Sequence, residues 1–332
     1  MQIHHDHDLP LDGSQRSAVT IGAYDGVHLG HRAVIDDLRA RAAPHDLDTV
    51  VITFDRHPAE VVRPASAPRL LTDLEQKLEL LESTGIDHAV VVHFDEARAA
   101  EPASEFVREV LADGLRAALV VVGEDFHFGH RRQGNVALLR DEGASLGFDV
   151  VGHHLVGLEG QDARDDSSVS STAIRRALVE GRLSAANAML GRPHEMRGPV
   201  VTGDRRGRTI GFPTANVAIA ERMLMPADGI YAGWLSRDGG SNWLPSAIYV
   251  GHRPTFYDDA AAVLLEVHVL DLEDDLYGDD VRVRFTHRLR DDRAFDGVEA
   301  LAAQLQIDCD RAREVLAEDD GLQVSGQPAP LR

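Results

Sequence analysis

His28 and His31 flank Leu29-Gly30 within residues 19–35, VTIGAYDGVHLGHRAVI. Side chains three apart on a helix point the same way, so a helix carrying this stretch presents two imidazoles together. Glycine at position 30 lets a ligand come close to the backbone. The stretch begins as a short apolar strand, bends through Gly22 and Gly26, and then turns helical. A strand feeding such a turn and helix aims unpaired backbone N–H groups at whatever sits above the sheet, and those groups suit phosphate. The chemistry expected is the holding of a nucleoside triphosphate. Both imidazoles would touch its phosphates, with Gly22, Asp25 and Gly30 as further contacts.

A second anion site is expected at residues 168–176, SVSSTAIRR, where Ser170, Ser171 and Thr172 precede a helical run and Arg175 follows one turn in. Such hydroxyls are also ordinary helix caps; with an arginine they bind anions. Farther on, residues 203–216 read GDRRGRTIGFPTAN. Gly203, Gly207 and Gly211 make a backbone-exposing loop, and Arg205, Arg206 and Arg208 add positive charge; a plain hairpin turn is the simpler alternative. Thr214 and Asn216 alternate on an expected strand and so share a face. Their neutral oxygens suit Mg²⁺ already bridging phosphates. In residues 264–270, LLEVHVL, one face is Leu265, Val267 and Val269, and the other carries Glu266 and His268. A carboxylate in an apolar strand is costly unless partnered or functional. Glu266 is therefore either a structural acceptor or a general base for an attacking hydroxyl.

These residues need two kinds of scaffold. Candidate strands at 18–22, 49–54, 88–94, 118–123 and 148–154 alternate with helical patterns, and runs such as Val50-Val51-Ile52 read as strands covered on both faces. Core stripes are expected at Val34, Ile35, Leu38 and Ala42, at Leu74, Leu78 and Leu81, and at Phe106, Val107, Val110 and Leu111. That alternation predicts an α/β domain with an open parallel sheet, which binds ligands at the carboxyl ends of its strands. Three such ends are polar: the opening turn, residues 53–58 (TFDRHP) and residues 123–129 (GEDFHFG). After a Gly/Pro-rich stretch, strands are expected at 198–202, 214–219, 229–235, 246–250, 263–270 and 281–287. They read as a small antiparallel β-barrel, closed by a helix near 298–317 that carries Leu301, Leu305 and Ala312. The expected domains are 1–185 and 186–318, with a disordered tail at 319–332.

The chain has 332 residues and a net charge of −21, from 55 acidic and 34 basic residues. A field of that sign repels nucleic acid and anionic membranes, and no apolar run approaches the ~20 residues of a membrane span. The N-terminus lacks the features of a signal peptide, so a cytoplasmic location is expected. Small-molecule substrates are the expected partners, and the sequence leaves a homo-oligomer open. Lys77 is the only lysine, and Cys309, the only cysteine, reads as a small apolar residue on a helix.

Taken in order, GAYDGVHLGH, VITFDRHP, GEDFHFGHRRQG, VSSTAIR, GRTIGFPTAN, GHRPTF, LEVHVLD and LYGDDVRVRF resemble the bifunctional prokaryotic riboflavin kinase/FMN adenylyltransferase (FAD synthetase) family over about residues 19–316. The resemblance implies a nucleotidylyltransferase-like first domain and a riboflavin kinase-like barrel. It implies that riboflavin is phosphorylated by MgATP in the barrel and that FMN is adenylylated to FAD by a second ATP in the first domain. Glu266 is then the base, Thr214 and Asn216 hold metal and phosphate, and the loop at 203–211 covers the nucleotide. His28 and His31 steady the other triphosphate with Ser171, Thr172 and Arg175, while Phe54, Phe126, Phe128 and Asp125 are candidates for the flavin pocket. This chain departs from the family pattern at Tyr24, where Phe is usual, and at Arg56, where Pro is usual. A flavin-binding regulator, or an enzyme with one active module, is the alternative.

Overall fold

The structure, a computed structural model, describes residues 1–11, 15–154, 157–158, 168–203, 207, 210–252, 263–272 and 274–319. The chain divides into two compact units, one formed by residues 1–171 and the other beginning at Thr172.

In the first unit the strands are β1 (Gln2–His5), β2 (Ser17–Ile21), β3 (Asp48–Phe54), β4 (His88–Val92), β5 (Ala117–Gly123) and β8 (Asp149–His153), with a two-stranded ribbon of β6 (His127–Phe128) and β7 (Gly134–Asn135). The six-stranded sheet runs β1-β4-β3-β2-β5-β8, every pair parallel. Its helices are α1 (Leu29–Ala42), α2 (Pro58–Val62), α3 (Leu74–Glu82), α4 (Glu96–Ala100), α5 (Ala103–Phe106) and α6 (Val136–Leu146). Successive strand residues face opposite ways, and the core follows that rule. Val50, Ile52, Val90, Val92, Val120 and Val122 pack with Val107, Leu111 and Leu139 on one side. Val51, Ile35 and Leu81 meet on the other side, as do Ala18, Leu38 and Val121. The expected parallel sheet, covered on both faces, is what forms.

The strands expected from sequence begin at residue 18; the polar segment Gln2–His5 is an additional edge strand, paired with β4 and tied to it by His4 Nε2 and His88 Nδ1 at 3.1 Å. One local expectation needs correction. In α3, Leu74 and Leu78 are only half-buried, whereas Gln76 and Lys77 are buried beside Leu81. Lys77 turns inward there to reach the Ala23 and Phe54 carbonyls, so of the expected leucine stripe Leu81 alone is fully buried.

The second unit holds α7 (Ser171–Val179, whose first residue belongs to the other unit), α8 (Leu183–Leu190), six strands and α9 (Val298–Glu318). The strands are β9 (His194–Val201), β10 (Ala215–Val217), β11 (Gly229–Ser236), β12 (Leu244–His252), β13 (Val263–Val269) and β14 (Asp280–Arg290). They close into a barrel in the order β10-β13-β12-β11-β14-β9, antiparallel throughout. Tyr231 and Phe285 fill the interior edge to face, with ring centroids 5.4 Å apart. α9 seats Cys309, Ala312, Val315 and Leu316 against Ala232 and Leu270, while Leu301 and Leu305 stay half-buried. Arg290 secures it with bonds of 2.9 and 2.7 Å to the buried Asp308 carboxylate. Burial pushes the Cys309 thiol up to about 11, so it stays protonated and inert. Among the described residues no helix is long and apolar enough to cross a membrane.

Candidate functional site

In the first unit β2 runs into the turn at residues 22–27, and α1 follows. His28 caps α1, its Nδ1 accepting from the His31 N–H at 3.3 Å. An accepting Nδ1 means that the neutral ring carries its proton on Nε2. The two imidazoles lie face to face, centroids 3.6 Å apart and planes 18° off parallel, with Tyr24 4.9 Å from His31. A Cβ at Gly30 would stand 2.9 Å from the Val169 carbonyl and 3.2 Å from the His28 ring, so only glycine fits between them. Gly22 is similarly confined, by the Tyr24 ring at 3.0 Å. Tyr24 is buried, and its hydroxyl bonds Thr20 Oγ1 at 2.7 Å; burial pushes the phenol up. The hydroxyl that distinguishes it from phenylalanine is thus spent inside the core.

Asp25, expected among the phosphate contacts, is 5% exposed, and its carboxylate is turned toward the segment before α3. It accepts from the Leu71 N–H, the Thr72 N–H and the Thr72 hydroxyl at 3.0–3.1 Å. Its carbonyl accepts from Ser171 Oγ at 2.9 Å. Asp25 is a brace for the turn. Removing it would strand two buried amides, each loss costing about 1–3 kcal/mol. Asp25→Ala is therefore expected to lower stability by about 3 kcal/mol, read from the urea midpoint of the first unit's unfolding. Ser171 does not cap its own helix; it is the first helical residue. Thr172 and Arg175 follow within the first two turns of α7 and are counted with the second unit.

Of the flavin candidates, Phe126 and Phe128 stack with centroids 5.4 Å apart, and Phe54 meets Phe94 edge to face at 5.3 Å. All three are half-buried at the rim of one core cluster. Asp125 is exposed at the end of β5. Arg56 is paired with Asp55 at 3.4 Å, and Asp55 also bonds His93 Nδ1 at 2.7 Å. Hydrogen bonds from the Phe94 N–H, His93 and Arg56 outweigh burial and hold the Asp55 carboxyl below its ordinary value.

The sequence did not single out Lys77 as a site residue. It is the only lysine, 8% exposed, and its Nζ donates to the Phe54 carbonyl at 2.7 Å and the Ala23 carbonyl at 3.3 Å. Burial pushes its ammonium down from 10.5 to about 8, against the opposing pull of Asp25, Asp55 and Glu60. Between those two values the unfolded chain holds more protons than the folded one, so stability rises with pH across that window. The rise is at most about 3 kcal/mol. Lys77→Met is expected to flatten it, as measured by urea midpoints from pH 7 to 10.5.

In the barrel, Glu266 lies directly across from Asn216 on β10 and from Tyr249 on β12. Directly opposed residues project to the same face, so the amide and the carboxylate stand side by side. Thr214 lies just outside β10 rather than within a strand, which is a correction: Pro213 is held off the ladder by its carbonyl's bond to His268 Nδ1 at 2.7 Å. A Cβ at Gly203 would meet Asn216 at 2.5 Å, and one at Gly207 would meet the Phe212 carbonyl at 2.2 Å. Glycine at 203 and at 207 thus leaves room for Asn216 and for the Phe212 carbonyl. Gly211 has a φ of +88°, which glycine accepts readily. Arg208, with Arg205 and Arg206, lies outside the described residues. An open cleft of about 810 Å³ in the second unit is lined by Gly211, Phe212, Thr214, His268, Tyr277 and Arg313, but not by Glu266 or Asn216. A cleft of about 730 Å³ in the first unit is lined by Asp6, Asp95, Glu101, Glu105 and Glu109 with Arg98. Its charge opposes phosphate, and none of the expected site residues lines it. Among the described residues no cluster of three or more His, Cys, Asp or Glu is placed to hold a metal.

The sequence pattern of FAD synthetase matches residues 12–173, and that of riboflavin kinase matches residues 190–316. The chain is 37% identical over 308 residues to the bifunctional riboflavin kinase/FMN adenylyltransferase of Escherichia coli (strain K12), covering 93% of this chain and 95% of that one. It is 32% identical over 310 residues to the protein so named in Bacillus subtilis (strain 168), with the same coverage of 93% and 95%. A solved structure described as a macrolide-efflux protein from Streptococcus pneumoniae superposes with a TM-score of 0.81 at 28% identity, over 94% of this chain and 99% of that chain. With both family patterns in order and such identity across nearly the whole length, this chain belongs to the bifunctional riboflavin kinase/FMN adenylyltransferase family.

Proposed function

We propose that the barrel unit phosphorylates riboflavin to FMN and that the parallel-sheet unit adenylylates FMN to FAD, each with its own ATP. The observation that carries the kinase reading is the Glu266–Asn216 register, which puts a half-buried carboxylate beside a neutral oxygen donor. Riboflavin's ribityl 5′-hydroxyl gives its proton to Glu266 as its oxygen attacks the γ-phosphorus, and ADP leaves. Asn216 and Thr214, with neutral oxygens near Gly203 and Gly207, suit Mg²⁺. The ion supplies positive charge that the acidic chain lacks.

For adenylyl transfer, an FMN phosphate oxygen attacks the α-phosphorus of ATP and pyrophosphate leaves. The step needs no protein nucleophile, so position and charge carry it. The stacked His28 and His31, at the open end of α1, supply donors for the triphosphate. Phe54, Phe126 and Phe128 offer apolar faces for the isoalloxazine. Gly22 and Gly30 leave room for the Tyr24 ring and for Val169 and His28 around the turn, and the reaction takes place in the cytoplasm.

The test is purified protein with riboflavin, ATP and Mg²⁺, its flavins separated by chromatography over time. FMN should rise first and then give way to FAD. Accumulation of FMN alone would mean a single working module, and unchanged riboflavin would mean a binding protein.

A further inference from the structure

Lys77 stands out chemically in a chain whose other strongly basic side chains are arginine. Among the described residues no carboxylate lies within ion-pair distance of its ammonium; carbonyl oxygens receive it instead. Burying an ammonium without an ion pair is costly, and methionine of similar length would pack without that cost. Packing alone does not account for the charge.

The two carbonyls say what the ammonium does. Ala23 opens the turn that leads to His28, and Phe54 ends β3. The Thr53 hydroxyl reaches the same Ala23 carbonyl at 3.2 Å. The turn is strained at Tyr24 and Val27, with φ of +51° and +37°, the latter on a β-branched residue, while Gly26 takes its +87° readily. Such a conformation persists only where its surroundings over-determine it. Here the segment ending in α3 grips it at three points. Lys77 holds residue 23, the Leu71 and Thr72 amides hold the Asp25 carboxylate, and Thr72 Oγ1 accepts from the Gly26 N–H at 3.0 Å.

Resting on the adenylyl-transfer reading above, we propose that Lys77 is a positioning residue of that site. Its ammonium ties the turn after β2 to the end of β3, so that the strained turn delivers His28 and His31 in their stacked arrangement while Phe54 is held by its carbonyl. A guanidinium is planar and wide, whereas the two carbonyls here receive a compact ammonium.

The test uses the full-length chain. Lys77→Met is expected to keep riboflavin kinase turnover at the wild-type level. Its kcat for FMN adenylylation should fall roughly 100-fold, the scale of a misplacement of about 1 Å. Lys77→Arg should not restore it. Lys77→Ala should regain activity with added methylammonium but not with tetramethylammonium, a response that a packing role would not give. With a single lysine, ¹³Cε-lysine labelling gives one side-chain signal, and that signal should shift when FMN and a non-hydrolysable ATP analogue are added together. Undiminished FAD synthesis by Lys77→Met, or a lysine signal unmoved by both ligands, would overturn the proposal. Failure of the wild-type chain to make FAD would instead overturn the adenylyl-transfer reading on which it stands.

Discussion

Glu266→Gln is expected to abolish FMN formation while FMN supplied from outside is still converted to FAD. The substitution keeps shape and hydrogen-bonding reach, so β13 and its pairing with β10 and β12 should survive. What it removes is the capacity to take a proton. An amide cannot accept the ribityl hydroxyl's proton, and loss of a general base costs about 10²–10⁴ in rate. The neighbouring phenol is no substitute. Tyr249 is pushed up to about 12 by burial first and then by Asp292, with Glu266 adding to it, so it stays protonated at working pH. Two time courses on one preparation decide the matter, one started from riboflavin and one from FMN. If both reactions fell together, Glu266 would be holding up the whole chain rather than serving the barrel alone.

Much of this architecture could be read from residue pattern because burial on two faces leaves a signature. Val50-Val51-Ile52 and Val90-Val91-Val92 are continuous because each strand is covered on both sides, and the barrel's alternation survives because one face is core and the other is not. The pattern was silent where a side chain's partner is remote in sequence. Asp25 sits in the Gly-rich turn, and the partners that its carboxylate braces, Leu71 and Thr72, are 46 and 47 residues away. Lys77 sits in an amphipathic helix whose leucines suggested the inward face. Its role is set by two carbonyl groups, which no side-chain pattern reveals. Gln2–His5 reads as polar and becomes a strand only because β4 offers it an edge. The candidate catalytic residues were found by type and spacing, while the residues that hold them needed the fold.

The reverse separation is expected of His28→Ala combined with His31→Ala: FAD synthesis should collapse while riboflavin is still phosphorylated. The two rings act as a unit, since His28 caps the helix that presents His31 and lies flat against it. Either single change should therefore cost nearly as much as both together, the non-additivity expected of groups in contact. Removing charge stabilisation at the triphosphate whose pyrophosphate leaves costs about 10²–10³ per donor, so the double variant should sit near background. Part of the loss could come from fraying of α1, because losing a cap costs about 1 kcal/mol. His28→Asn separates the two effects: asparagine is among the best capping residues but brings no imidazole. If His28→Asn adenylylated FMN as fast as the wild-type chain, the first imidazole would be a cap and nothing more. If it were as impaired as His28→Ala, with its thermal midpoint unchanged from wild type, the ring itself is what the triphosphate requires.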